Sequence, residues 1–210
     1  AQVQQRVTAV AKEVSRLFSE YAKSFLSERC YLGQSSYRDA LGEGRSFEYP
    51  CFDVFMTSAV SPEIETVREH DDDVSESQRE FIDLAFRMAL IAAVTARGSR
   101  AMLVIETPEA SLDAYFVDQA GALLRNFGRG DRSDGNVVIV SSNLATQNMV
   151  AGLLGFDGPE AQWPDADEVS RRVINLLDES RPNAALRERR DFYLRKLRET
   201  TRGRLPRDGA

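Results

Sequence analysis

A long apolar pattern over residues 77–97 predicts a helix that is buried on several of its sides. Apolar side chains occupy most of the circumference of this helix, so that little of it is polar. They include Phe81, Ile82, Leu84, Phe86, Met88, Leu90 and Ile91. Such a pattern is expected of a helix inside a core rather than on a surface. Ser75 is a suitable N-cap for this helix, since its hydroxyl can accept a hydrogen bond from the first turn. Gly98 stands where a glycine commonly ends a helix.

Two shorter apolar runs further along the chain predict strands. Residues 102–105 and 137–140 are typical of buried parallel strands, and an amphipathic pattern over 111–127 predicts a helix between them. A strand, a helix and a strand in this order place the two strands parallel in one sheet. Ligands of such sheets bind beyond the carboxyl ends of the strands. Here those ends are the polar segments 106–107 and 141–143.

The flanking segments predict further helices and one or two strands. Apolar residues at spacings of three and four over residues 3–26 fit either a coiled coil or an amphipathic helix on a domain core. Residues 31–46 are predicted as a loop, and residues 47–56 as one or two strands interrupted at Pro50, an edge-type position. Three more helices are predicted, over residues 144–156, 167–178 and 184–200.

An acidic segment at residues 63–73 contains a DDD run and His70, the sole histidine. Adjacent carboxylates in an exposed run lack the convergent geometry of a metal site, so we predict a solvated loop. His70 has no histidine partner and is predicted to be an exposed loop residue rather than a ligand or a base. Cys30 and Cys51 lack metal-type spacing and are predicted to be reduced thiols.

Charge and composition narrow the class of protein. The whole chain has net charge −6, whereas residues 181–210 hold ten Arg and Lys against four Asp and Glu, so residues 1–180 carry −12. Any contact with nucleic acid should therefore favour the basic tail. Asp83 and Arg87 interrupt the most hydrophobic stretch, and the first residues lack a signal-peptide pattern, so we expect no membrane span and a cytoplasmic protein. The missing initiator Met suggests a piece of a longer protein.

Two motifs resemble those of ABC-type ATPases, in the order and spacing of that family. VSESQ, from Val74 to Gln78, resembles the LSGGQ signature. VIETPEASLD, from Val104 to Asp113, resembles a Walker B strand plus D-loop, which usually reads hydrophobic-Asp-Glu-Pro-x-Ala-x-Leu-Asp. The leading helix, the strand pair near residue 50 and the lack of a transporter-like helical subdomain are similar to the SMC, RecF and RecN branch. In that branch a long coiled coil splits the ATPase head.

The resemblance implies an α/β fold: a partial P-loop NTPase lobe with parallel strands flanked by helices, preceded by a coiled-coil-like helix. The resemblance covers roughly residues 1–145, in which residues 1–29 would be a returning coiled-coil stub or an amphipathic helix and residues 30–145 the C-terminal ATPase lobe. Residues 146–210 contain no motif of the family and are predicted from their own pattern to be a helical extension with a basic tail. The chain has no G-x-x-x-x-G-K-[ST] P-loop. GEGRS at residues 42–46 lacks the lysine and the following helix, and is predicted to be a turn.

The resemblance also implies an ATP site shared between two heads, in which the signature of one head meets the γ-phosphate held by the other. Ser75, Ser77 and Gln78 would contact ATP through the Ser75 hydroxyl and the N–H groups at the start of the following helix. Glu76 and Ser77 replace the usual glycines, and Glu76 brings a carboxylate near that phosphate. Asp113, at the end of the D-loop, would contact the partner head.

The hydrolytic positions depart from the family pattern. Glu106 stands at the Walker B aspartate, where a carboxylate orients Mg²⁺; a strand-end carboxylate without a metal is the alternative. Thr107 replaces the general-base glutamate and has no basic group near neutral pH. Asn143 stands at the position of the family's switch histidine. Its side chain can donate a hydrogen bond to a γ-phosphate but cannot shuttle a proton. Glu109, predicted at the loop surface, is an alternative base.

The leading interpretation is the C-terminal lobe of an SMC- or RecN-like ABC ATPase head in a DNA repair, maintenance or defence protein. It would complete an ATP-sandwich dimer, and it would hydrolyse ATP with Mg²⁺ only together with the missing Walker A lobe. Its implied partners are that N-terminal lobe, a second head as a homodimer, and DNA through the tail at residues 181–210. A non-hydrolysing scaffold or DNA-binding module with the same fold is one alternative. A basic-tailed nucleic-acid binder with an unrelated α/β body is another.

Overall fold

The computed structural model describes most of the chain in two compact units. The described residues are 2–24, 26, 28–58, 60–61, 63–95, 100–129, 136–143, 148–176 and 184–204. The first unit comprises Ala1–Leu103 and Gly130–Val137, and the second comprises Val104–Arg129 and Val138–Ala210.

Two helices supply most of the buried core residues of the first unit. α1 (Gln2–Ala22) and α2 (Glu76–Thr95) pack against each other. The second half of α1 buries side chains at spacings of three and four, namely Ala11, Val14, Leu17, Phe18 and Ala22. Phe18 and Phe81 are fully enclosed, and burial of such a side chain contributes roughly 1.5–3 kcal/mol. α2 is buried along one broad face, whereas Leu90 and Val94 are exposed, so the prediction that it is buried on several sides is confirmed only in part. Gly98, its predicted end, lies outside the described residues. A coiled-coil stub over residues 1–29 stays a prediction.

The loop predicted at residues 31–46 is wrong over residues 31–41, whereas the turn predicted within residues 42–46 is confirmed. β1 (Cys30–Gly42) and β2 (Arg45–Thr57) form a long antiparallel hairpin that turns at residues 42–44. The sequence does not indicate this strand. Residues 34–40 of β1 are all exposed, so they lack the alternation of apolar and polar residues that indicates a half-buried strand. Tyr37 lies opposite Tyr49 across the hairpin, with ring centroids 5.3 Å apart.

Pro50 does not interrupt β2, which continues through it opposite Ser36. β3 (Glu65–Arg68) pairs with β2 only over Val54–Thr57, so Pro50 lies at an edge among the described strands, as expected of a residue without an N–H. The predicted loop over the acidic segment is wrong at β3. Three of the four residues of β3 are exposed, so this strand lacks the alternation of apolar and polar residues that would have indicated it.

β4 (Met102–Glu106) and β5 (Val137–Ser141) form a separate two-stranded sheet. The Val137 N–H donates to the Ala101 carbonyl (3.0 Å) at one end, and the Thr107 N–H donates to the Ser141 carbonyl (2.9 Å) at the other. Bonds in this order occur between parallel strands. α3 (Ala114–Arg129) lies between the two strands along the chain. The predicted α/β fold with parallel strands and helices is therefore confirmed.

Helices complete the second unit: α4 (Asn148–Leu154), α5 (Ala166–Arg172) and α6 (Ala184–Thr200). α3 and α4 cross at two glycines, and a Cβ on Gly121 would lie 3.0 Å from the Cα of Gly152. The helix predicted over 167–178 ends earlier than expected, at Arg172. No described helix combines the length and apolar character that a membrane crossing requires.

Candidate functional site

The signature-like segment lies at the start of α2 and is closed by a reciprocal pair of hydrogen bonds. The Gln78 N–H donates to Ser75 Oγ (3.2 Å), and the Ser75 N–H donates to Gln78 Oε1 (3.0 Å). This is a capping box, in which two otherwise unsatisfied N–H groups find acceptors. The predicted N-cap role of Ser75 is confirmed. Its hydroxyl proton is still available for donation while the oxygen accepts.

Groups in the first turn of α2 have opposite effects on the binding of an anion. Its N–H groups and the positive end of the helix dipole favour a phosphate. Glu76, an exposed residue of this turn, supplies a carboxylate that already complements the dipole. A phosphate at Ser75 would therefore meet this negative charge. Gln78 Nε2 donates to Glu28 Oε1 (3.4 Å), which connects the segment to the residues before β1.

The Walker B-like strand ends in a strained turn. Glu106 is the last residue of β4 and is exposed. Thr107 adopts a left-handed conformation (φ 41°, ψ 54°), which is rare for a β-branched residue and costs about 1–2 kcal/mol. Its N–H donates to both the carbonyl (2.9 Å) and the hydroxyl (3.2 Å) of Ser141. A 3-10 turn, Pro108–Ala110, follows at once and bends the chain away from the strand end.

Glu109 is buried, so its predicted position at the loop surface is wrong. Only 2% of the residue is exposed. Its Oε1 accepts hydrogen bonds from the Ser142 hydroxyl (2.8 Å) and from the Asn143 N–H. Oε2 is enclosed and has no hydrogen-bond partner among the described residues. The expectation failed because the partners of this carboxylate come from a distant part of the chain.

Asp113 and Asn143 are both exposed in the second unit. Asp113 Oδ1 accepts from the Tyr115 N–H (3.1 Å), so the carboxylate caps the start of α3. Asn143 follows β5 by two residues, with its N–H held by Glu109. The partner-head contact of Asp113 and the phosphate contact of Asn143 stay predictions.

At the carboxyl ends of β4 and β5 the structure therefore brings together the segments 107–109 and 141–143. The sequence placed Thr107, Glu109 and the segment 141–143 in this region but assigned no role to Ser142, whose hydroxyl donates to Glu109. Its position in the polar segment after β5 was the available signal. The signature-like residues Ser75, Ser77 and Gln78 belong to the first unit.

Mg²⁺ is the cation that the motifs imply. No group of three or more His, Cys, Asp or Glu among the described residues has an arrangement that could hold a metal ion by itself. Mg²⁺ in nucleotide sites is commonly held by one or two carboxylates together with phosphates and waters. The exposed carboxylate of Glu106 at a parallel strand end fits one such ligand position and requires the phosphates to complete the set.

Comparisons with known proteins give matches among solved structures. No family model and no curated protein matches the chain. One structure, from work on ATP-driven dimerization and DNA-stimulated activation of SMC ATPases, is 16% identical, with 67% of this chain and 72% of that chain covered (TM-score 0.43). The chain is similar to SMC ATPase heads.

Two further structures contain Smc heads with a bound protein. An SmcHead bound to the C-winged helix domain of ScpA is 15% identical (TM-score 0.44). An Smc head domain with an extended coiled coil, bound to the C-terminal domain of ScpA derived from Pyrococcus furiosus, is 14% identical (TM-score 0.41). Both matches cover 67% of this chain, which spans 36% and 30% of those chains.

Proposed function

We propose that this chain is the C-terminal lobe of an SMC- or RecN-like ABC ATPase head that completes an ATP-sandwich dimer. The supporting observation is an apolar sheet face that the described chain leaves uncovered. On β4 and β5, alternate residues are exposed, with Met102 at 59%, Val104 at 58%, Val137 at 45% and Ile139 at 47%. Parallel strands of α/β proteins are normally covered on both faces.

The proposed occupant of this face is the N-terminal lobe of the same protein, which would carry the Walker A P-loop. Burying a Val, Ile or Met side chain fully contributes roughly 1.5–3 kcal/mol, so covering these half-exposed residues would contribute on the order of 1 kcal/mol each. The joined lobes would then place a P-loop at the same sheet as Glu106 and Asn143. Without it, the chain alone should neither grip ATP nor hydrolyse it.

In the assembled head, each motif residue has a specific task. The Ser75 hydroxyl and the first N–H groups of α2, with Ser77 and Gln78, would contact the γ-phosphate held by a second head. Glu106 would orient Mg²⁺, which neutralises phosphate charge in such sites. Asn143 would donate a hydrogen bond to the γ-phosphate. Because Thr107 cannot act as a base, hydrolysis should be slow compared with family members that have glutamate there.

The wider setting follows from the resemblance. We propose that the full-length protein forms a homodimer of heads in the presence of ATP and acts in the cytoplasm in DNA repair, maintenance or defence. Asp113 would contact the partner head from the end of the D-loop.

Covering of the sheet face is tested by Val104→Lys. In the 210-residue chain the new lysine would remain in solvent, so the free energy of unfolding should change by less than about 0.5 kcal/mol. In the full-length protein it would be buried without a partner and should cost several kcal/mol. Val60→Lys, at a residue that is 92% exposed, is the matched control. If both substitutions are equally harmless in the full-length protein, this face is not covered by another lobe.

The shared ATP site is tested by Ser75→Arg in the full-length protein. The wild type should bind ATP and dimerise, as measured by light scattering with and without ATP. Ser75→Arg should bind ATP but remain monomeric, because the large side chain occupies the space of the phosphate. Ser36→Arg, on the exposed part of the hairpin, is the control and should dimerise normally. Normal dimerisation of Ser75→Arg would contradict the signature interpretation.

A non-hydrolysing DNA-binding module is the second candidate, and the surface of α6 favours it. Arg189, Arg190 and Arg195 are exposed, while Leu194 and Leu197 are buried. Replacement of Arg189 and Arg195 by Gln should weaken DNA binding and lower the salt dependence of log K by about 0.9 per lost phosphate contact. Unchanged affinity and salt dependence would remove this candidate, and ATP turnover that is lost in Glu106→Gln would also contradict it.

A further inference from the structure

We propose that Glu109 is a positioning residue that ties the turn after β4 to the segment after β5 and thereby fixes Asn143. The consequence for catalysis rests on the proposed function. The hydrogen bonds themselves do not, and they can be tested in the chain alone.

Four donor–acceptor contacts connect the two segments. The Thr107 N–H reaches the carbonyl and the hydroxyl of Ser141. Glu109 Oε1 accepts from the Ser142 hydroxyl and from the Asn143 N–H. A left-handed threonine persists only where the surroundings determine its conformation. The four contacts hold Thr107 in this conformation. They also fix the backbone of Asn143 beside the end of β4.

The burial of Glu109 favours a positioning role and argues against a role as general base. A base must come within hydrogen-bond distance of the proton it removes, directly or through one water. Glu109 Oε1 already accepts two hydrogen bonds, and Oε2 is enclosed. A buried carboxylate is costly unless it is hydrogen-bonded, so the two donors offset part of that cost. The side chain is therefore placed to hold Asn143 and is shielded from an attacking water.

Hydrogen exchange of the Asn143 amide tests the hydrogen bond in the 210-residue chain. Glu109→Gln keeps a side-chain oxygen that can accept from Ser142 and Asn143, so the amide should exchange at a rate near that of the wild type. Glu109→Ala removes the acceptor and should raise the exchange rate at least about tenfold, which corresponds to 1.4 kcal/mol. Should Glu109→Ala not fold, Glu109→Asp replaces it, because the shorter side chain withdraws the acceptor. An unchanged exchange rate in the folded variant would overturn the proposal.

Turnover in the full-length protein then separates positioning from base chemistry. A positioning role predicts that Glu109→Gln retains most of the wild-type kcat, while Glu109→Ala lowers it. A base role predicts that both substitutions abolish turnover equally, and that result would overturn the proposal. A wild-type protein without any turnover would contradict the proposed ATPase function instead. The exchange rate of the Asn143 amide would still decide the role of Glu109 in the fold.

Discussion

Ser75 and Gln78 cap α2 reciprocally, each accepting the other's backbone N–H through its side chain. The serine of the signature-like segment therefore stabilises the helix in the absence of any nucleotide. Loss of ATP-dependent dimerisation in a Ser75 variant could then result from a frayed helix as well as from a lost phosphate contact. Substitutions that affect only one of these two properties are needed to distinguish them.

Ser75→Ala and Ser75→Asp make that distinction. Alanine removes the cap and should lower the free energy of unfolding by about 1 kcal/mol, whereas aspartate is a good N-cap and should leave it nearly unchanged. In the full-length protein, Ser75→Asp should nevertheless lose ATP-dependent dimerisation, because its charge repels the γ-phosphate. Urea unfolding and light scattering measure the two properties. If Ser75→Asp dimerises like the wild type, the side chain of residue 75 does not face a phosphate.

The crossing of α3 and α4 gives a prediction about Gly121. A Cβ there would lie 3.0 Å from both the Cα of Gly152 and the carbonyl oxygen of Met149, which are backbone atoms that cannot move aside. Overpacking should cost about 1–3 kcal/mol and outweigh the gain of up to about 1 kcal/mol from the higher helix propensity of alanine. Gly121→Ala should therefore be less stable than the wild type in urea unfolding.

Gly128→Ala in the same helix is the matched control. A Cβ on Gly128 would meet only the Val138 side chain, at 3.4 Å, so the substitution should be neutral or stabilising. Equal stability of Gly121→Ala and Gly128→Ala would show that the two helices do not approach as closely as described.

The sequence predicted the elements whose apolar content is visible in local pattern. α2 has apolar side chains at helical spacing, and β4 and β5 are continuous apolar runs; each was found close to its expected bounds. The predicted burial of the two strands is wrong at alternate residues, which are exposed on one face of the sheet. β2 was predicted in part, over residues 47–56, but β1 was missed because residues 34–40 are exposed on both faces. Only the partner strand stabilises such a segment, and pairing leaves no mark in the pattern of a single strand.

The candidate site was predicted as a set of positions, and its internal contacts were not. The capping role of Ser75 is local, and the spacing between Ser75 and Gln78 could reveal it. Glu109 depends on Ser142, which lies 33 residues later in the chain. The surface position predicted for Glu109 followed from its place in a polar loop, where nothing in the neighbouring residues indicates that a second loop covers it.

Cys30 and Cys51 are both free thiols in different surroundings. Burial, reinforced by the nearby Glu28 carboxylate, raises the pKa of the Cys30 thiol to about 12. Since the thiolate is the reactive form, we expect a thiol reagent at pH 8 to label Cys51 in the folded protein and Cys30 only after unfolding. Mass spectrometry of the labelled peptides measures this. Equal labelling of both residues in the folded protein would contradict the burial of Cys30.

The same pKa shift predicts a loss of stability at high pH. The folded state keeps the Cys30 proton up to about pH 12, whereas the unfolded chain loses it near the ordinary value of 9. The contribution is therefore fully present below pH 9 and declines as the pH rises from 9 towards 12, by up to about 1.4 kcal/mol per pH unit. Other groups also titrate there, so the relevant quantity is the difference between the wild type and Cys30→Ala. That difference should shrink from pH 8.5 to pH 10.5.

At position 107 we expect glycine to give a more stable protein than alanine, which is the reverse of the usual order. At ordinary helical positions alanine is more stable than glycine by about 1 kcal/mol. At the left-handed backbone of Thr107 a Cβ costs about 1–2 kcal/mol, which exceeds the cost of about 0.5–1 kcal/mol from the extra freedom of an unfolded glycine. Thr107→Gly should therefore unfold at a higher urea concentration than Thr107→Ala.

An exposed residue of α3 provides the control for Thr107. At Asn126 the order should be the normal one, with Asn126→Ala more stable than Asn126→Gly, because this backbone is helical. Comparison of the two pairs cancels the intrinsic difference between alanine and glycine and leaves the effect of the backbone at Thr107. If alanine is the more stable residue at both positions, Thr107 is not held in the left-handed region. The turn that separates Glu106 from Glu109 would then have a different conformation, and the hydrogen bond from Asn143 to Glu109 would lose its structural basis.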